Sequence, residues 1–159
     1  MKIFISGTIS SKTWVHNEQI ASILEGLEGM MIYLPQNSNI KESKSLFLKN
    51  LAELESSDVL LLLGDTFGVC SASEVGYMAA GNKIVIAYIE YKKSLNYLGK
   101  HLMIENFLSG LLTSNKNIIP IINRSASNLD IEALYVEKEN LIFGLQELIS
   151  KITKRKDSI

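Results

Sequence analysis

Asp58-Val59-Leu60-Leu61-Leu62-Leu63 is the stretch on which the fold turns. Every position after the first is apolar, so neither face of the strand it predicts can look at water, and a strand buried on both faces belongs in the middle of a parallel sheet. Parallel neighbours need crossover connections, and the chain on either side supplies them. Upstream, residues 2–6 predict a short strand entering a turn at Ser6-Gly7-Thr8, and residues 30–34 a second strand closed by Pro35. Between them, residues 14–27 carry Val15, Ile20, Ile23, Leu24 and Leu27 at helical spacing, with Gly29 as a stop. A second helix is predicted over residues 41–56, with Phe47, Asn50, Leu51 and Leu54 along one face. Downstream, residues 64–70 read as a loop, 71–81 as a helix, 84–89 as a strand, 101–112 as a helix and 118–122 as a fifth strand. Residues 133–136 fit either a short strand or a loop. Leu141, Leu145, Leu148 and Ile152 predict a closing amphipathic helix. The expected class is α/β: one domain over residues 1–159, a doubly wound, mostly parallel five-stranded sheet with helices on both faces, flavodoxin- or Rossmann-like.

Composition narrows the function. Sixteen basic residues face seventeen acidic ones, for a net charge of −1 and a pI near 6.1, so the basic field that a nucleic-acid polymer would require is lacking. Val59 to Leu63, like the other apolar runs, falls far short of the roughly 18 residues of a membrane span. The opening Met1-Lys2-Ile3-Phe4-Ile5-Ser6 is too short an apolar stretch for a secretory leader, and Cys70 is the one cysteine. The expectation is a cytoplasmic protein without membrane or nucleic-acid partners. His16 and His101 have no acid or thiol at metal-ligand spacing, no Gly-x-Ser-x-Gly elbow occurs, and the first turn is neither a Walker A loop nor a three-glycine dinucleotide loop. Lys154-Arg155-Lys156 reads as a solvated helix end, its charge suited to a helix C-terminus. The stretch from Tyr88 to Tyr97 is aromatic and basic, and fits a lid, an interface or a solvated loop.

Ligands of open parallel sheets bind outside the carboxyl ends of the strands. There the chain places Ser6-Gly7-Thr8-Ile9, and after the third strand Gly64-Asp65-Thr66-Phe67-Gly68-Val69-Cys70-Ser71-Ala72-Ser73-Glu74. Glu74 has two readings. Ser71-x-x-Glu74 is a capping box, in which the carboxylate only satisfies backbone N–H groups. Alternatively, a carboxylate in the first helical turn is held ionised toward the ligand, and Gly76, Ala79, Ala80 and Gly81 let the helix pack tightly enough to place it rigidly. Asn50, on an apolar face, needs a partner for its amide or contacts a ligand. Cys70, without an obvious base, reads as a small, partly buried apolar residue.

Lys2-Ile3-Phe4-Ile5-Ser6-Gly7, Lys49-Asn50-Leu51, Ser57-Asp58-Val59 and above all residues 71–83 (Ser-Ala-Ser-Glu-Val-Gly-Tyr-Met-Ala-Ala-Gly-Asn-Lys) resemble the nucleoside 2-deoxyribosyltransferase family, which includes relatives that hydrolyse nucleoside 5′-monophosphates. The likeness covers most of residues 1–90 and is thin afterwards. It implies that Glu74 attacks the anomeric carbon C1′ and that a glycosyl-enzyme forms with release of the base. It further implies that Ser6, Gly7, Thr8 and Ile9 line the sugar and base pocket, that Asn50 contacts substrate, and that the loop from Gly68 to Ser71 holds the 5′ side. The implied ligand is a small-molecule nucleoside or nucleotide, with no cofactor. A homodimer or higher homo-oligomer is implied too, with the segment Glu105-Asn106-Phe107 resembling the part a neighbour contributes. Two positions depart from the pattern. Phe4 stands where members usually carry a tyrosine, and Gly68 where the transferases carry an aspartate; Asp65, in the same loop, is the candidate to replace the latter as a catalytic acid.

Two other classes compete. A nucleotide-binding or sensing module on the same fold would use Glu74 only as a cap. A flavodoxin-like electron carrier is disfavoured, because the first loop lacks the Ser/Thr-rich phosphate cradle.

Overall fold

The computed structural model describes residues 1–26, 28–94, 106–121 and 131–156. Six strands form one sheet: β1 (Lys2–Ser6), β2 (Met31–Tyr33), β3 (Val59–Leu63), β4 (Ile84–Ile89), β5 (Gly110–Thr113) and β6 (Glu132–Tyr135). Their order is β2-β1-β3-β4-β5-β6 and every neighbouring pair runs parallel. The apolar run that opened the argument is β3, buried at all five positions, with β1 on one side and β4 on the other.

Strand side chains alternate between faces, and each face gathers its own helices. Ile3, Ile5, Leu61 and Leu63 point to the side covered by α1 (Trp14–Leu24) and α4 (Leu141–Lys156). Asn17, Ile20, Ala21 and Leu24 form the buried stripe of α1, and Leu141, Leu145, Leu148 and Ile152 that of α4, each at most 6% exposed. Phe4, Leu60 and Leu62 point the other way, toward α2 (Ser43–Ser56) and α3 (Val69–Ala80). This second layer is thinner. Leu54 is the one fully buried residue of α2, and Phe47, placed on an apolar face by its spacing, is 62% exposed.

The second half of the sheet differs from the expected one. The sheet has six strands rather than five. Of the helix expected over residues 101–112, residues 101–105 lie outside the described residues, Asn106 and Phe107 form a helical turn, and β5 follows at once. Residues 110–113 are Gly-Leu-Leu-Thr, a buried stretch too short for periodicity to tell from helix. The strand expected at 118–122 is a helical turn as far as it is described, with Ile121 N–H donating to Ile118 O. Of residues 133–136, the first three belong to β6 (Glu132–Tyr135) and Val136 follows it. No helix among the described residues is long and apolar enough to cross a membrane.

Candidate active site

Strand order reverses between β1 and β3, and the loops leaving those two strands lie against each other: Thr8 N–H donates to Thr66 O at 2.6 Å. Two glycines make that approach possible. A Cβ on Gly7 would sit 2.6 Å from Thr66 Oγ1, and one on Gly68 2.5 Å from Thr8 Oγ1. The first loop is also tied from behind. Asn17 Nδ2 donates to Thr8 O and to Gln36 Oε1, and Gln36 Nε2 donates to Trp14 O. The sequence reading missed this pair, because nothing in spacing distinguishes a buried Asn and Gln that support a loop from any others.

Glu74 is not a cap. The helix starts at Val69, two residues before the expected position, and its N-cap is Gly68. Ser71 is therefore the third helical residue, buried, and Glu74 falls in the second turn, beyond the N–H groups that a capping box satisfies. Its Oε2 instead accepts a hydrogen bond from Ser6 Oγ at 2.5 Å, across 68 residues of sequence. Ser6 ends β1 and is fully buried. Burial pushes the Glu74 carboxyl up from 4.5 to about 7, the Ser6 bond pulling the other way. The face of α3 turned to the core is Ser71, Val75 and Met78. Of the small residues expected to pack it on the sheet, Gly76 and Ala79 are half-buried, and Ala80 and Gly81 exposed.

The carboxyl opens onto a cavity of about 340 Å³ between α2 and the first half of α3, lined by Ser43, Leu46, Asn50, Leu51, Cys70 and Glu74 among others. A ligand cavity of this kind begins at about 300 Å³. Asn50 has the partner that its amide needs: its Oδ1 accepts from Tyr33 OH at 2.7 Å, and the residue also lines the cavity. Cys70 is exposed, not partly buried.

The remaining candidates scatter. Asp65 turns away: it accepts from the backbone N–H of Glu90 (2.6 Å) and Tyr91 (3.2 Å) and from Ser94 Oγ, fixing the loop after β4. It lines a different cavity, with Gly64, Phe67, Lys93 and Ser94. Thr8 and Ile9 are exposed at the rim of the first loop, and Asn106 is exposed in the turn before β5. Glu105, Tyr97 and His101 lie outside the described residues. Tyr88, grouped with the lid candidates, is a fully buried residue of β4. Asn82 and Lys83, the tail of the longest motif, are structural. Asn82 turns the chain at φ 54°, and Lys83 Nζ donates to Glu55 O and to Ser57 O. Arg155, in the basic tail, pairs with Glu132 at 3.1 Å. Among the described residues no group of three or more His, Cys, Asp or Glu could hold a metal ion.

Tyr33 is the site residue that sequence reasoning did not find. It stands beside Phe4 in the β1–β2 register, ring centroids 5.3 Å apart, and its phenol is raised by burial and by the charges of Glu53 and Glu74. No spacing joins Tyr33 to Asn50 or Glu74; only the pairing of β2 with β1 does.

No family model matches the chain, and no curated protein matches it either. Solved structures do. A conserved protein from Enterococcus faecalis V583 aligns over 98% of both chains, with TM-score 0.55 and 23% identity, which shows a shared α/β fold. A 2-desoxiribosyltransferase from Leishmania mexicana aligns with TM-score 0.47 and 16% identity, over 55% of this chain and 63% of its own. The chain thus spans less than two thirds of that transferase's length. Fold and site together define a parallel α/β protein with a half-buried carboxyl at the topological switch point.

Proposed function

We propose that the chain cleaves or exchanges the N-glycosidic bond of a (deoxy)nucleoside or its 5′-monophosphate, with Glu74 as nucleophile. The observation that carries this reading is the placement of Glu74: released from capping, held by Ser6 Oγ, and facing a ligand-sized cavity beside the sheet's switch point. In the first half-reaction a Glu74 carboxylate oxygen bonds to C1′ as the C1′–N bond breaks. The bonding pair leaves with the base nitrogen, which takes up a proton from solvent. In the second, water or the nitrogen of another base attacks C1′ and gives up its proton to solvent, and Glu74 departs as carboxylate. Ser6 fixes the attacking group in one orientation, which is where positioning lowers the barrier. Leu46, Leu51 and Leu54 offer an apolar wall suited to a flat heterocycle. The 5′ side of the ligand would rest at the first turn of α3, entered from Gly68. Asp65, committed to the loop after β4, takes no part in this scheme.

The same reading extends to assembly. Phe47, Leu48 and Val69 stand 52–86% exposed on α2 and α3. A second copy of this chain covering that rim would close the open cavity, and light scattering on the purified protein would report its mass.

The test is chromatographic detection of free base from ribo- and deoxynucleosides and their 5′-monophosphates, with and without an acceptor base. Wild type is expected to release base and Glu74→Gln to release none; the acceptor samples separate exchange from hydrolysis. Binding without release by a folded wild type would make the chain a nucleotide-binding module.

A further inference from the structure

An amide side chain has one acceptor oxygen and one NH₂ that can only donate. In Asn50 the oxygen is taken by Tyr33 OH at 2.7 Å. The opposite orientation would turn Oδ1 toward the cavity that also holds the Glu74 carboxyl, acceptor facing acceptor, and would leave the phenol without its own acceptor. The ring of Tyr33 is held without help from its hydroxyl, by Phe4 at 5.3 Å and by Lys49 Nζ 5.9 Å above its centroid.

We propose that Tyr33 is a positioning residue: it locks Asn50 with Nδ2 presented to the cavity, so that the site selects a ligand carrying a hydrogen-bond acceptor next to the carbon that Glu74 attacks. The inference rests on the functional reading above and deepens it. A nucleoside has such acceptors in its hydroxyls, its ring oxygen and its base, and a ligand offering only donors or methyl groups there is rejected. Tyr33 touches neither ligand nor nucleophile; it acts through Asn50.

The experiment is steady-state kinetics on 2′-deoxyadenosine for wild type, Tyr33→Phe, Asn50→Ala, the double variant and Glu74→Gln, with calorimetric binding of the same nucleoside alongside. Tyr33→Phe keeps the ring and removes only the hydroxyl. It is expected to raise KM about tenfold, to leave kcat within about twofold and to leave the pH profile unmoved, the size of effect of one hydrogen bond. The double variant is expected to be no worse than Asn50→Ala alone, since both changes remove the same contact. Wild-type KM in Tyr33→Phe, or losses that add in the double variant, would overturn the proposal while a silent Glu74→Gln left the functional reading standing. Base release by Glu74→Gln, or a wild type that neither binds nor cleaves 2′-deoxyadenosine or any other nucleoside or 5′-monophosphate of the panel above, would sink that reading and this one with it.

Discussion

Replacing Glu74 by glutamine should make the protein more stable above about pH 4.5, by an amount that grows until about pH 7. The folded state holds the Glu74 proton up to about pH 7, whereas an unfolded chain releases it near 4.5. Below pH 4.5 both states are protonated and the group costs nothing. As pH rises toward 7 the unfolded state gains from ionising and the folded state does not, so stability falls; above 7 the full penalty is present. At 1.36 kcal/mol per pH unit the rise corresponds to roughly 3 kcal/mol, an upper magnitude. Glutamine has the same shape, can still accept from Ser6 Oγ, and carries no charge to bury. For a domain of this size the gain is roughly 6–12 °C in Tm. Urea unfolding at a pH well below 4.5 and at pH 8 would measure it: the two proteins should be equally stable at the lower pH and separate at the higher. Identical pH dependence, or a variant less stable at pH 8, would refute the view of Glu74 as a buried acid kept for chemistry at the expense of stability.

Other consequences are separable. In kcat/KM, base release should rise with pH around 7, because only the ionised Glu74 is nucleophilic; a flat profile from pH 5 to 9 would speak against it. Ser6→Ala removes the hydrogen bond that lowers the Glu74 pKa, so that profile should move to higher pH and activity at pH 7 should drop several-fold. Asp65→Ala should cost about 2–3 kcal/mol in urea unfolding, since a carboxylate accepting from two backbone N–H groups and a serine is lost, with little change in the rate of base release. Gly144→Ala should lower stability by about 1–3 kcal/mol, because its Cβ would lie 2.8 Å from Val136 Cγ2 and press α4 away from the segment that follows β6.

The first ninety residues were legible because their signals are local and strong. Apolar runs of strand length, bounded by Gly, Pro and Ser, gave β1 to β4, and the 3.6-residue stripe of Leu141, Leu145, Leu148 and Ile152 gave α4. Beyond β4 the reading slipped at β5, whose four residues carry too little periodicity to separate strand from helix. Glu74 was legible as a residue to watch, but its role was not. Two residues of error in where α3 begins decide between a capping box and a carboxyl aimed at Ser6.

By itself the sequence determined the architecture and the neighbourhood of the site: Val59–Leu63 cannot be solvated on either side, and a parallel sheet carries its ligands at its carboxyl edge. Tertiary structure alone decided which side chains meet. Asp65 and Glu74 share a loop and helix yet face different cavities, while Ser6, Tyr33, Asn50 and Glu74, spread over 68 residues, are gathered by the register of β1 with its neighbours and by the two helices above it. Local propensity acts over a few residues of chain; a hydrogen bond between Ser6 and Glu74 exists only once strand pairing has brought the two ends of that span together.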